Sequence, residues 1–368
     1  MDTLNVGAGL VPARNEGSSD RGNAIAGGHK VRPYVFPHSI RLGSLTLFHN
    51  IILSPMAGVT DVPFRRLCAR GGSALMCGEM LSAQAIRYKS KKTLALLKFF
   101  PDERPVSSQI MGAEPDVMAE AARVVEDHGA DVIDVNAGCP VPKIVKTRSG
   151  SALLKDEKRF AAILSAIVQA VKIPVTVKIR IGVRENEYLA PALAKLAERC
   201  GVAAVIVHAR PVSHKHAGRP DWEGLRQVVE AVTIPVIGNG GVNVPQDALD
   251  FLAISKCAGV SIGRAAIGNP CLFARIRHFL LTGELLAGPT NREKLDTLWQ
   301  HARWAAEYFG ERTGLLRLRK IVPYYVAGFP NATAFRSRAN RIATLTEWEQ
   351  LIEDTRETLS ISLKKLLK

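Results

Sequence analysis

The chain has 368 residues, 47% of them hydrophobic and 23% charged, which suits one large globular domain with a smaller companion and excludes a disordered polyelectrolyte. No apolar run reaches the roughly 18–20 residues that cross a bilayer, and no basic-then-apolar leader opens the sequence, so neither membrane insertion nor secretion is expected. Lys and Arg outnumber Asp and Glu by 49 to 34, a net charge of +15, which favours a polyanionic partner such as nucleic acid or else marks a merely basic surface.

Residues 1–33, rich in Gly, Ala, Asn, Asp and Ser and without an apolar period, are predicted to be a disordered extension, with order beginning near Tyr34. Short apolar runs then alternate with amphipathic stretches. The runs are Asn50–Pro55, Ala74–Glu79, Pro105–Met111, Asp131–Asn136, Pro174–Arg180, Ala203–His208, Pro235–Gly238 and Gly259–Gly263. Several are rich in Val and Ile with little polar alternation, as expected of parallel strands buried on both faces. Helices are expected over Pro115–His128, Glu157–Val171, Leu189–Cys200, Trp222–Val232 and Pro245–Ser255. This order predicts an α/β fold, a (β/α)8 TIM barrel over residues 34–274, followed by a smaller all-helical domain over 275–368. An open doubly wound sheet is the structural alternative, but Pro55-Met56-Ala57-Gly58 is not the glycine-rich turn that such a sheet places after its first strand.

In a barrel the chemistry sits at the carboxyl ends of the strands. The first run ends in Ser54-Pro55-Met56-Ala57-Gly58, small residues that let backbone lie against a planar ligand or simply turn. The third carries Gln109, and the fifth carries Lys178 and Arg180. A lysine in a buried strand is costly without an anion, which a ligand or a barrel carboxylate could supply. The fourth ends in Asp134-Val135-Asn136-Ala137-Gly138-Cys139-Pro140, followed by Lys143, Lys146 and Arg148. Those basic side chains could hold phosphate or be solvated. The sixth ends in His208-Ala209-Arg210, the seventh in Gly238-Asn239-Gly240-Gly241 and the eighth in Gly263-Arg264. Glycines after strands seven and eight match a phosphate site built from backbone N–H groups. Of six cysteines, none in a C-x-x-C pair, Cys139 alone is predicted in a loop at the catalytic face. Its thiol, protonated at neutral pH, can act as a general acid or be incidental. No metal site is expected, and reduced thiols fit the cytoplasm.

The strings LSPMAGVTDVPFRRL (Leu53–Leu67), DVIDVNAGCPVPKIVKTRSGSALL (Asp131–Leu154), VTVKIRIG (Val175–Gly182) and IGRAAIGNP (Ile262–Pro270) resemble the tRNA-dihydrouridine synthase family, most closely its bacterial B-type branch. The resemblance implies an FMN-bound barrel, a helical tRNA-binding domain, NADPH or NADH as reductant, and reduction of the C5–C6 bond of a D-loop uridine, position 17 for the B type. It implies that Pro55, Met56, Ala57, Gln109, Lys178, Asn239, Gly240, Gly241, Gly263 and Arg264 hold FMN, with His208 beside it. Asn136 would seat the uracil, hydride would reach C6 from flavin N5, and Cys139 would deliver the proton to C5. Lys143, Arg148, Arg319 and Lys320 are the expected RNA contacts. The chain departs from the family at His208-Ala209-Arg210-Pro211, where Gly and Thr are usual at the second and fourth places, and at Arg319-Lys320-Ile321, where His is usual at the third. Gly241 likewise replaces the usual Asp. An FMN barrel acting on a free pyrimidine, such as a dihydroorotate dehydrogenase, and a non-catalytic RNA-binding barrel are the competing functions.

Overall fold

The computed structural model of the chain describes residues 39–366, so the expected N-terminal extension lies outside the described residues. The first elements are two three-residue strands, β1 (Ile40–Leu42) and β2 (Leu45–Leu47), paired antiparallel. Their alternate residues Ile40, Leu42 and Leu47 are buried in one cluster with Leu75, Cys77, Val132, Ala204 and Ile237. Those partners stand at or near the amino ends of barrel strands, so the hairpin plugs the barrel floor and leaves the opposite end for chemistry.

Eight parallel strands follow: β3 (Ile51–Leu53), β4 (Met76–Ser82), β5 (Val106–Met111), β6 (Val132–Asn136), β7 (Val175–Arg180), β8 (Ala204–His208), β9 (Val236–Asn239) and β10 (Gly259–Ile262). Their order is β3-β10-β9-β8-β7-β6-β5-β4, and β3 meets β4 through Ala74 N–H to Ile51 O and Leu53 N–H to Leu75 O, each 3.0 Å. The ring is thus a (β/α)8-type barrel, as the alternation of apolar runs predicts. The runs are almost wholly buried because helices cover the sheet outside and side chains fill it inside. The five expected helices are present, at Pro115–Asp127, Glu157–Ala170, Ala190–Arg199, Trp222–Ala231 and Pro245–Ser255.

The chain divides into two compact units, one of residues 33–287 and one that includes 288–368. The division lies beyond the expected 274/275 boundary because the helix Leu272–Thr282 completes the barrel. Its Leu272, Phe273 and Ile276 are buried, and it packs on β3 and on the helix Pro245–Ser255. The second unit, within its described residues, is helical throughout: Asn291–Phe309, Glu311–Leu318, Val322–Tyr325, Ala332–Ala339 and Leu345–Leu366. Thr290 and Glu293 cap the first of these reciprocally. Trp348 is fully buried edge-on to Phe335, and buried His301 meets the Tyr325 hydroxyl at 3.0 Å.

Candidate active site

The carboxyl ends of the strands gather most of the residues singled out in the sequence. Strand β7 supplies three polar side chains at alternate positions, Thr176, Lys178 and Arg180, all directed into the barrel by the two-residue period. Lys178 Nζ donates to Asn239 Oδ1 at 3.2 Å, and Asn239 Nδ2 donates to Ser261 O at 2.7 Å. Among the described residues no carboxylate lies within salt-bridge distance of Lys178, but buried Asp134 attracts its ammonium through space. Burial, aided by the charge of Arg180, lowers the Lys178 pKa from 10.5 to about 8. Arg180 donates to Gly138 O at 2.9 Å, Pro211 O at 3.1 Å and Lys215 O at 2.7 Å, and burial lowers its pKa to about 10.

The mouth is crowded with positive charge. Arg210 donates to Gly218 O at 2.9 Å, and Arg264 reaches His216 O at 3.3 Å. His208 and His216 stack with ring centroids 6.0 Å apart. Burial first, and then Lys178, Arg180 and Arg210, joined by Arg264 at His216, keep both imidazoles neutral, with the His216 pKa lowered to about 4. Above them, Gly240 and Gly241 have φ of +117° and +87°, and a Cβ at Gly241 would lie 2.5 Å from Pro220 Cγ. Side chains are therefore excluded there. No backbone N–H of Gly240, Gly241, Gly263 or Arg264 donates to an acceptor among the described residues. Buried Ser261 Oγ has no partner either. Concentrated cations, spare N–H groups and an orphaned hydroxyl fit an anionic ligand with a phosphate.

The turn after β3 places Pro55, Met56 and Ala57 at the same rim. Met56 O accepts from Thr60 N–H at 3.0 Å, Gly58 N–H donates to Glu79, and Met56 Sδ lies 3.7 Å from where a Cβ of Gly263 would stand. Gln109 on β5 is buried and hydrogen-bonded to both Asp134 and Asn136. Cys139 follows β6 in a loop whose N–H groups at Gly138 and Cys139 donate to Asn136 Oδ1 at 3.2 and 3.0 Å. Its carbonyl accepts from Ser151 N–H at 3.0 Å. Burial raises the thiol pKa, while the Val141 N–H and the charges of Arg180 and Lys178 oppose the rise. The thiol is held protonated at neutral pH.

Lys143 and Arg148 are exposed beside this loop, in and after the short helix Pro142–Lys146. Arg319 and Lys320 belong to the helical unit. Lys320 is exposed, but Arg319 is half-buried and donates to Ile342 O at 3.2 Å, so part of its role is to brace that unit. Sequence reasoning does not single out Asp134, Thr176 or Glu79 as site residues. The alternation Thr176-x-Lys178-x-Arg180 in a buried strand is the signal available for the second of these. Among the described residues there is no group of three or more His, Cys, Asp or Glu arranged for a metal, and no helix long and apolar enough to cross a membrane.

Residues 52–361 match the family described as dihydrouridine synthase. A probable tRNA-dihydrouridine synthase of Rickettsia bellii (strain RML369-C) is 43% identical over 82% of this chain and 93% of the relative. The tRNA-dihydrouridine synthase B of Xanthomonas axonopodis pv. citri (strain 306) is 39% identical over 83% of this chain and 92% of its own. Among solved structures, histamine dehydrogenase from Rhizobium sp. 4-9 shares the barrel at a TM-score of 0.54 and 11% identity, covering 71% of this chain and 50% of that one.

Proposed function

The chain belongs to the dihydrouridine synthase family of oxidoreductases acting on CH–CH bonds, and we propose that it is a B-type tRNA-dihydrouridine synthase that uses FMN and NADPH to reduce a D-loop uridine. The observation that carries the reading is the Cys139 loop, tethered by Asn136 at a barrel mouth where Lys178, Arg180, Arg210 and Arg264 gather.

The N–H groups of Gly240, Gly241, Gly263 and Arg264, with the Arg264 guanidinium, would hold the FMN phosphate. Pro55, Met56, Ala57, Gln109, Asn239 and His208 would line the ring system. FMN held there would supply hydride chemistry at uracil C6, with NADPH as its reductant. Lys178 would serve as a counter-charge, because a buried ammonium that Asp134 attracts only through space gains from a nearby anion. Hydride addition at C6 places negative charge on C5 and O4. The Cys139 S–H proton quenches it at C5, and the thiolate recovers its proton from water. Asn136 seats the uracil beside that thiol. The uridine must leave its stack to enter, as for other enzymes that act on a base. Lys143 and Arg148 at the mouth, and Lys320 with Arg319 in the helical unit, would meet the RNA backbone of a cytoplasmic tRNA.

Incubating the purified protein with FMN, NADPH and an unmodified tRNA transcript tests the reading. Dihydrouridine is expected at a D-loop uridine. A transcript recovered with every uridine intact, by a protein that oxidises NADPH, would refute it.

A further inference from the structure

The hydrogen bonds around Asp134 have a direction, and it ends at Cys139. Gln109, Asp134 and Thr176 are register partners on β5, β6 and β7, so their side chains form one layer across the barrel. Asp134 is 1% exposed and makes no direct salt bridge among the described residues; burial raises its pKa, while Gln109, Thr176 and the through-space attraction of Lys178 favour its carboxylate form. Its oxygens are met by two neutral donors, Thr176 Oγ1 and Gln109 Nε2, each at 2.7 Å. A carboxylate only accepts, so the Gln109 amide nitrogen must face it and Gln109 Oε1 must face away. That oxygen accepts from Asn136 Nδ2 at 2.8 Å. Asn136 Oδ1 is thereby turned to the loop, where it accepts from the N–H groups of Gly138 and Cys139. The loop's carbonyl side is held separately, Gly138 O by Arg180 and Cys139 O by Ser151. Its N–H side depends on which way one amide points.

We propose that Asp134 is a positioning residue whose carboxylate sets the polarity of a relay, Asp134–Gln109–Asn136, and that this polarity holds the Cys139 loop at the barrel mouth. The consequence for catalysis rests on Cys139 being the proton donor; the orientation of the loop does not. Reversing either amide would set an NH2 group against two backbone N–H groups. A single buried acceptor therefore decides the whole chain of bonds.

A polarity swap tests this in FMN-saturated protein, with the rate of iodoacetamide alkylation read on the Cys139 peptide by mass spectrometry. The peptide readout is needed because Cys200 and Cys271 are also partly accessible. Asn136→Asp leaves one Gln109 amide nitrogen between two carboxylates, so one link is cut. Each such bond is worth roughly 2- to 10-fold in an opening equilibrium, and Cys139 should alkylate faster by about that factor. Adding Asp134→Asn to that variant turns the relay round without losing a bond. Thr176 still donates to the side chain at position 134, whose new amide donates to Gln109 Oε1. Gln109 Nε2 then donates to the new carboxylate at position 136, which still accepts from the loop. The double variant should return to within about twofold of the parent. Asp134→Asn alone should be mild, because Thr176 can accept from the new amide and redirect its proton to Ile133 O, 3.5 Å away. Should Asn136→Asp not fold, Gln109→Met cuts both links without adding charge and is expected to give the same several-fold rise. A double variant no better than Asn136→Asp, or unchanged alkylation in Gln109→Met, would overturn the proposal. None of these outcomes depends on whether tRNA is reduced, so failure of the relay is distinguishable from failure of the functional reading.

Discussion

Cys139 and Lys178 carry the sharpest predictions at the scale of single residues. Cys139→Ala should keep FMN, tRNA binding and NADPH oxidation while losing dihydrouridine formation by about 10²- to 10⁴-fold, the usual worth of general acid catalysis. Retention of wild-type turnover would make the thiol incidental. Because burial raises the thiol pKa, its acid form persists further into alkaline pH than that of a free cysteine, and turnover limited by that proton should not fall until the pH is well into that range. Lys178→Met should lower the midpoint potential of bound FMN, since a reduced anionic ring loses its counter-charge; about 30 mV corresponds to ~1.4 kcal/mol for a two-electron couple. An unchanged potential, measured by dye equilibration, would dissociate Lys178 from the flavin. Lys178, Gln109 and the terminal glycines are legible in the sequence because buried strands and short turns give such residues no packing role. Asp134 and Thr176 are not, since their meaning comes from the register that sets β5, β6 and β7 side by side.

At the scale of elements, the eight barrel strands are readable from their apolar runs, whose Val- and Ile-rich character reflects burial on both faces. The β1–β2 hairpin is not, although Ile40-x-Leu42 and Leu45-x-Leu47 flank a Gly43-Ser44 turn; three-residue strands give the alternation too little length to register. The expected 274/275 boundary cuts the helix Leu272–Thr282, because its texture resembles the helices after it, whereas its buried face belongs to the barrel. The segment after Cys139 supports a further prediction. Gly150 has φ +60°, and a Cβ there would lie 2.8 Å from Cys139 O and 2.9 Å from Ile144 Cγ2. Gly150→Ala is therefore strained twice over and must displace the Cys139 loop. Its dihydrouridine turnover should drop at least about tenfold with FMN content unchanged, an outcome checked by flavin absorbance alongside product analysis. Equal losses of flavin and turnover would point to general unfolding instead.

For the whole molecule, four neutral histidines set the acid limit. Burial lowers His49 and His216 to about 4 and His301 to about 3, and pushes His208 well below 6.5. The unfolded chain takes up protons from about pH 6.5 downward while the folded chain does not, so more protons are bound by the unfolded state and stability falls as pH falls from 6.5 toward 4. Each unit contains at least one such histidine, His301 in the helical unit and the others in the barrel, so both should weaken in that window. Thermal unfolding midpoints that stay level from pH 7 to pH 5 would contradict the burial of these imidazoles. The net charge of +15 further predicts that tRNA affinity falls steeply with salt. The most direct test of the function is anaerobic single turnover. Protein loaded with FMN and reduced beforehand is mixed with unmodified tRNA transcript or, separately, with free uridine or orotate at equal concentration. The account predicts that flavin absorbance returns with the transcript, with one dihydrouridine formed per flavin, and stays bleached with the free pyrimidines. Reoxidation by orotate or uridine but not by tRNA would contradict it.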